Sequence, residues 1–480
     1  MSAPAHTPAL DVYLARENGE LVLRQGINPL QGTNSDKRIL IIGGGVTGMT
    51  NAWAFLDAGY SVTVVSDRWA SLDNRITSQI AGALWEWPPA VCGQHTDVIS
   101  LEHSKKWCLS TYRIFEELIR IFPSRELPYH GIKMRMANFF FDTPIEEKPG
   151  DYHKMKEIES IKDIRGFKRD PTLVKQHAVN QEAGVVDSYQ HLSPVVDTDS
   201  YMLWLRFLIA TKGAQFVTDH VAGDLIDSED KLLQHYGAHA VINCTGLGGR
   251  ESASDKTVYP LRGALIRVVN DGTKFPKVTE ALVVAHDYEK RDEDGGIVFI
   301  VPRNDRTLIL GGLAQAGQDK LDLTIDSPEV KRMRERCNRF VPGLENAELD
   351  PEAGFVQGLR PLRGRNVRVE RELRTKANGE ASRIIHSYGQ GGSGFTLSFG
   401  CAADVVRFLE ELDAGLPPKP MQLPRLQAST WDAEPGAAVP APRCHRLDAE
   451  VQQRLQAPAV FLNSKVQAPR SSTFSSVEDV

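Results

Sequence analysis

The chain has no excess of positive charge: its 480 residues carry a net charge of −6 at neutral pH, with a pI near 6.1. A nucleic-acid partner would call for a basic face, so that class is set aside. Cysteine is scarce. Six are scattered at 92, 108, 244, 337, 401 and 444, with no CxxC pair and no accompanying histidine cluster. These spacings argue against structural zinc and any other metal site, and read as reduced thiols of a cytoplasmic protein. The first 36 residues lack an apolar core behind a basic start, so no secretory leader is expected. One apolar stretch, Ile39 to Leu56, resembles a membrane span in hydropathy alone. Gly43, Gly44, Gly45, Gly48 and Asn51 interrupt it, and a buried strand followed by a helix explains it. A hydrophobic content of 41% and a mean hydropathy of −0.29 are those of an ordinary soluble protein, and no internal repeat is evident.

What is present is a dinucleotide-binding pattern. Arg38-Ile-Leu-Ile-Ile is followed by Gly43, Gly45 and Gly48 at GxGxxG spacing, and Asp67 follows 19 residues after Gly48, at the tip of Ser61–Ser66. The first glycine permits a tight turn, the second lets backbone approach a pyrophosphate, and the third lets helix and strand pack closely. The helix start offers unpaired N–H groups and partial positive charge to phosphate. Asp67 is placed to accept the ribose hydroxyls. A glycine turn in an unrelated α/β unit is the alternative.

The length exceeds one compact core, so two domains are the default. Residues 100–122 carry a broad apolar stripe and read as a helix, whereas 130–190 read as strands and turns. Glu20–Arg24 reads as a short strand within an otherwise loop-like N-terminal stretch. Tyr201–Thr211 and Ser327–Phe340 read as helices, Ala240 onward as a buried strand, and Tyr259–Leu313 as β-rich. Arg383–His386 reads as a strand, and Ser393–Leu412 as a turn and helix. Nine prolines fall after Gly415, without hydrophobic periodicity, so an extended or disordered tail is expected.

Five segments, taken together, resemble the D-amino-acid oxidase family of flavoproteins. They are Arg38–Met49 with Ser66-Asp67-Arg68; Thr77-Ser-Gln-Ile-Ala-Gly-Ala-Leu-Trp85; Val241-Ile-Asn-Cys-Thr-Gly246; Gly358-Leu-Arg-Pro-Leu-Arg363 followed by Val369-Glu-Arg-Glu372; and His386-Ser-Tyr-Gly-Gln-Gly-Gly-Ser-Gly-Phe-Thr396. The resemblance implies a mixed α/β fold, in which a Rossmann-type FAD-binding domain (37–110, 198–258, 352–415) is interleaved with a β-rich substrate domain (111–197, 259–351). An extension, 1–36, and a Pro/Ala-rich tail, 416–480, flank them. It implies FAD rather than NAD, contacted by Gly43, Gly45, Val46, Thr47, Gly48, Asp67, Arg68, Ser78, Gln79, Ala83, Leu84, Val221, Cys244, Thr245, Gly246, Gly389, Gly391, Gly392, Gly394, Phe395 and Thr396. Glycine-rich turns at 43–48, 245–249 and 389–394 suit a cofactor enclosed from several sides.

The resemblance makes Arg360 the group that clamps a substrate carboxylate, through two parallel charge-assisted hydrogen bonds. It makes the Gly392 carbonyl the acceptor for the substrate amine. The implied activity is oxidative deamination of an amino acid, D favoured, by hydride transfer from Cα to flavin N5. The products are imino acid, then 2-oxo acid, ammonia and hydrogen peroxide, with dioxygen as the second substrate. A homodimer is an open possibility. Two departures stand out. Phe299 occupies the place of a family tyrosine that reaches the carboxylate, leaving Tyr288 or Arg291 as replacement donors. Glu86, between Trp85 and Trp87, either faces a cationic substrate side chain or pairs with a structural arginine. Arg363, Arg365 and Arg368 are read mostly as structural. Oxidation of an L-amino acid or a secondary amine, a non-catalytic flavin-binding role, and a nicotinamide dehydrogenase remain as rivals.

Overall fold

The computed structural model describes residues 11–90, 98–122, 129–177, 179–180, 183–284, 297–364 and 366–423. Ile39, Leu40, Ile41 and Ile42 are all buried, as expected of a strand covered on both faces. Their strand, Asn34–Ile42, lies inside a six-stranded sheet. The spatial order is Arg368–Arg371, Ile384–Tyr388, Ala240–Asn243, Asn34–Ile42, Tyr60–Ser66 and Gln215–Thr218. All neighbours are parallel except the first pair. Alternation divides the two faces: Ile39 and Ile41 join the core with helices Val46–Asp57 and Gly394–Asp413, whereas Leu40 and Ile42 face helix Leu225–Tyr236.

A second, nine-stranded sheet is predominantly antiparallel. Near one end lies the long strand Val258–Val269, which pairs through Leu265–Val269 with Thr307–Gly311 on one edge and through Val258–Ile266 with Phe355–Arg363 on the other. Strands Ala281–Val284, Val298–Pro302, Ile132–Phe141 and Asp187–Val196 extend it. Along the chain the two sheets alternate. The strand carrying Arg360, expected within the dinucleotide-binding part, is hydrogen-bonded into the second sheet.

Most expected elements are found: helices Val98–Ile121, Thr198–Thr211, Pro328–Phe340 and Gly394–Asp413, and strands near each expected position. Three expectations need correction. The N-terminal stretch is a β-hairpin, Val12–Glu17 with Glu20–Gln25, whose Val12, Leu14, Leu21 and Leu23 join the main core. Asp57 and Lys212 fasten it: the Asp57 carboxylate accepts from the Leu14 N–H (2.8 Å) and from Lys212 Nζ (2.7 Å), and Lys212 also donates to the Val12 carbonyl (2.7 Å). The span 130–190 contains a helix, Pro149–Ser160, between its strands. Residues 416–423 are not a free start to the tail, since Arg371 donates to the Leu416 carbonyl and His103 contacts the Gln422 carbonyl, both at 2.5 Å. The rest of the expected tail, 424–480, and residues 1–10 lie outside the described residues. Among the described residues, Cys108, Cys244, Cys337 and Cys401 are buried free thiols, no cluster suited to a metal ion occurs, and no helix is long and apolar enough to cross a membrane. Cys92 and Cys444 lie outside them.

Candidate active site

A cavity of about 420 Å³ runs from the tips of the parallel strands to the second sheet. At its first end, Gly43 turns the chain with φ +119°, a left-handed value that disfavours a side chain. A Cβ on Gly48 would stand 1.9 Å from the Gly43 carbonyl, so helix and turn touch only because residue 48 is glycine. Helix Val46–Asp57 starts at Gly45 with no side-chain cap, and Gly45, Val46 and Thr47 line the cavity. Gly45 gives no side-chain cap, so apart from the Val46 N–H the start keeps donors and partial positive charge there, where an anion would be held. Val46 N–H donates to Ser78 Oγ (3.0 Å), tying the 77–80 turn to this helix. Asp67, Arg68 and Val221 line the same cavity, as do Asp219 and His220, which the sequence reading missed. Asp219 N–H bonds to the Ser66 carbonyl (3.2 Å), which brings this loop beside Asp67.

At the other end stands Arg360. Its guanidinium lies over Gly263, where a Cβ would be 2.1 Å from Nη1, and Nη1 donates to the Leu313 carbonyl (3.2 Å). Among the described residues it has no carboxylate partner, unlike Arg363 and Arg368. Around it the lining is Ile80, Ala81, Gly82, Leu265, Gly358 and Leu359, with the Gln390–Gly392 turn. Among the described residues of that lining, Arg360 is the ionisable side chain, so a carboxylate ligand would meet its cation there.

Behind the cavity, buried polar groups fix its loops. Arg363 Nε binds Asp255 (2.5 Å), and Tyr388 Oη donates to the same carboxylate (2.9 Å). Burial raises the Asp255 carboxyl, but Thr257, Arg363 and Tyr388 outweigh this and hold it at about 2. The side chain of Arg363 packs against Gly389, at the root of the glycine-rich loop. The tautomer of His386 follows from its neighbours. Thr245 N–H donates to Asn243 Oδ1 (3.3 Å), so Asn243 Nδ2 faces His386 Nδ1 (3.2 Å) and that nitrogen must accept. Nε2–H then donates to Glu372 (3.1 Å). The ring is neutral, and burial lowers its pKa to about 4. Arg374 and Arg368 keep Glu372 ionised.

Not every residue named from sequence reaches the cavity. Gly43, Gly45, Val46, Thr47, Ser78, Cys244, Thr245, Gly246, Gly391, Gly392, Gly394 and Phe395 line it, whereas Gly48, which packs on the Gly43 carbonyl, and Gln79, Ala83, Leu84, Gly389 and Thr396 do not. The Gln79 amide points away, donating to Asp199 and to the Ser71 carbonyl (3.0 Å each). Ala83 and Leu84 are drawn off by pairing with the strand Asp187–Val196. Thr396 is buried inside its helix. Phe299 stands just behind the lining, its ring packed against Gly82 and Gly311. Glu86 is corrected: its carboxylate is held by Lys154 Nζ (2.6 Å), a lysine and not the expected arginine, and it does not line the cavity. Cys244 does, and burial pushes its thiol upward, which keeps it protonated. Tyr288, Arg291 and Arg365 lie outside the described residues.

Residues 38–407 match the FAD dependent oxidoreductase family. The chain belongs to that family. This FAD-dependent oxidoreductase is 29% identical over 381 residues to D-amino-acid oxidase of Dictyostelium discoideum, covering 79% of this chain and 92% of that one. It is 29% identical over 373 residues to D-amino-acid oxidase of Streptomyces coelicolor (78% and 96%), and 27% over 386 to human D-aspartate oxidase (78% and 95%). Among solved structures it is similar to glycine oxidase from Geobacillus kaustophilus (TM-score 0.59, 16% identity, covering 78% of this chain and 95% of that one). It is also similar to L-proline dehydrogenase from P. horikoshii (TM-score 0.56, 14%, 80% and 100%), and both likenesses bear on fold alone. The cofactor of the family is FAD. The cavity fits it: an uncapped helix start for the pyrophosphate, an exposed acid at Asp67 for the ribose, and an apolar far end for the ring system.

Proposed function

We propose that this FAD-dependent oxidoreductase is an amino-acid oxidase, with D-amino acids favoured. The observation that carries the reading is Arg360: a guanidinium without a carboxylate partner among the described residues, held over Gly263 at the apolar end of the cavity. A zwitterion offers the complementary group. Two N–H donors of Arg360 bind the substrate carboxylate and fix its orientation. Its backing contact to the Leu313 carbonyl limits rotation. The Gly392 carbonyl accepts from the neutral amine. Ile80, Leu265 and Phe299 keep water from the reacting carbon, which strengthens each polar contact. Bound FAD supplies the two-electron acceptor for oxidation of the Cα–N bond. With dioxygen as final acceptor, the products are an imino acid, hydrolysed to 2-oxo acid and ammonia, and hydrogen peroxide. Among the described residues no acid or base other than Arg360 lines that end, so what these residues contribute is orientation and electrostatics.

The names of the curated relatives supply the D preference, and the remaining cofactor contacts at Gly43–Gly48, Asp67, Thr245, Gly246 and Gly391–Phe395 belong to the same proposal. So do the interleaved domain limits, a cytoplasmic location and a homodimer. The deciving experiment is peroxide release from purified, FAD-loaded protein on a panel of D-, L- and N-methyl amino acids. Faster turnover of D-amino acids supports the reading, and turnover confined to L- or N-methyl compounds overturns the preference.

A further inference from the structure

Arg303 follows directly on the strand Val298–Pro302 and is 4% exposed. Its Nη2 donates to the Ala81 carbonyl (2.6 Å), and its Nη1 donates to the Val196 carbonyl (3.3 Å) and to the Thr198 hydroxyl. Nε has no partner, and no carboxylate of the described residues lies within ion-pair distance. Two acids lie near without touching it: Asp197, hydrogen-bonded to the neutral Asn304 (3.0 Å) and Ser200 (3.2 Å), and Asp199, held by Arg75, Arg267 and Gln79; both attract the Arg303 charge, which burial opposes. A cation placed this deep with no carboxylate in direct contact is costly. A methionine of similar length would spare that cost but take away the donors to the Ala81 and Val196 carbonyls.

These contacts suggest a use for the charge. Thr198 Oγ1 donates to the Gln79 carbonyl (2.6 Å) while Arg303 holds the Ala81 carbonyl. Arg303 and Thr198 therefore take two carbonyls of the 76–82 stretch from the side opposite the cavity, which Ile76, Thr77, Ser78, Ile80, Ala81 and Gly82 line. In a trans peptide the C=O and the following N–H point in opposite directions. With the Ala81 oxygen on Arg303, the Gly82 N–H points away from it, on the side where both residues meet the cavity. The cation also polarises that peptide and strengthens the N–H as a donor.

We propose that Arg303 is a positioning residue that fixes the Ala81–Gly82 peptide at the Arg360 end of the cofactor cavity and, through its buried charge, favours the reduced, more negative state of the bound flavin. A fixed positive charge in a poorly screened interior stabilises negative charge that builds nearby. The assignment rests on the family's cofactor and is independent of which amino acid is oxidised.

The test compares holoenzymes of the parent, Arg303→Met, Arg303→Lys and Thr198→Val, by midpoint potential of the bound flavin, FAD dissociation constant and thermal unfolding. Arg303→Met is expected to bind FAD about tenfold or more weakly, as for loss of a charge-assisted hydrogen bond, and to shift the potential to more negative values. Arg303→Lys keeps the charge without the fork, so its potential stays near the parent's while FAD binding weakens. Thr198→Val loosens FAD binding at unchanged potential. An Arg303→Met flavin that titrates at the parent potential overturns the proposal. If that variant does not fold, an Arg303→Lys or Thr198→Val protein whose FAD affinity matches the parent's overturns it equally.

Discussion

Replacing Arg360 by Leu removes the cation that, among the described residues, stands at the apolar end of the cavity. Among the described residues, its guanidinium has a single hydrogen bond, to the Leu313 carbonyl, and no ion pair. The substitution therefore strands no buried carboxylate, and folding loses about one hydrogen bond, of order 1 kcal/mol. The substrate loses far more. A bidentate pair between guanidinium and carboxylate, broken on one side in a water-poor site, costs roughly 3–4 kcal/mol, which corresponds to about 10²–10³-fold in kcat/KM. The two magnitudes differ enough to separate the roles. Steady-state peroxide release across substrate concentrations, flavin content per protein and thermal unfolding form the assay. Expected are a large rise in KM, a fall in kcat, parent-like flavin content and a small change in Tm. Activity within about threefold of the parent, or a collapse of stability with it, would show that Arg360 is structural.

Acid should destabilise the protein early, because burial lowers His130, His191 and His386 from 6.5 to about 4. Between those values the unfolded chain binds up to three protons that the folded one refuses, so stability is full above 6.5 and falls as pH drops, by up to about 4 kcal/mol per pH unit. A flat profile of urea unfolding from pH 6.5 to 4.5 contradicts this. Asp57→Ala should cost about 2–3 kcal/mol, because it takes the carboxylate from half-buried Lys212, which keeps the Val12 carbonyl, and from the Leu14 N–H. Limited proteolysis should then cut the hairpin readily, and parent-like resistance would refute the fastening role. Glu86→Gln should lower Tm by weakening the contact with Lys154 and leave the ratio of rates on basic and neutral amino acids unchanged. A selective loss on basic substrates would return Glu86 to the pocket.

The dinucleotide unit was readable because its constraints are local: the Gly43 turn, the Gly43–Gly48 contact and Asp67 at a strand tip all fall within thirty residues. The N-terminal hairpin was equally local, and its signal was present. Asn18-Gly19, with φ of +51° and +81°, is a two-residue turn between strands of alternating burial. Helix Pro149–Ser160 gave little signal because it buries only Lys154, Met155 and Ile158, and a buried lysine breaks the apolar stripe. That same lysine settles Glu86, 68 residues away in sequence, and no spacing rule reaches it. Arg303 lies 222 residues from the Ala81 carbonyl that it holds, a relation visible only once the second sheet brings both together.

The most direct measurement is anaerobic mixing of the purified, FAD-loaded protein with a neutral D-amino acid, followed by flavin absorbance. The account expects the oxidised band to bleach with one equivalent of 2-oxo acid and ammonia per flavin, and the Arg360→Leu protein to bleach far more slowly at the same concentration. A flavin that stays oxidised with every amino acid tried, while dithionite reduces it normally, would contradict the assignment.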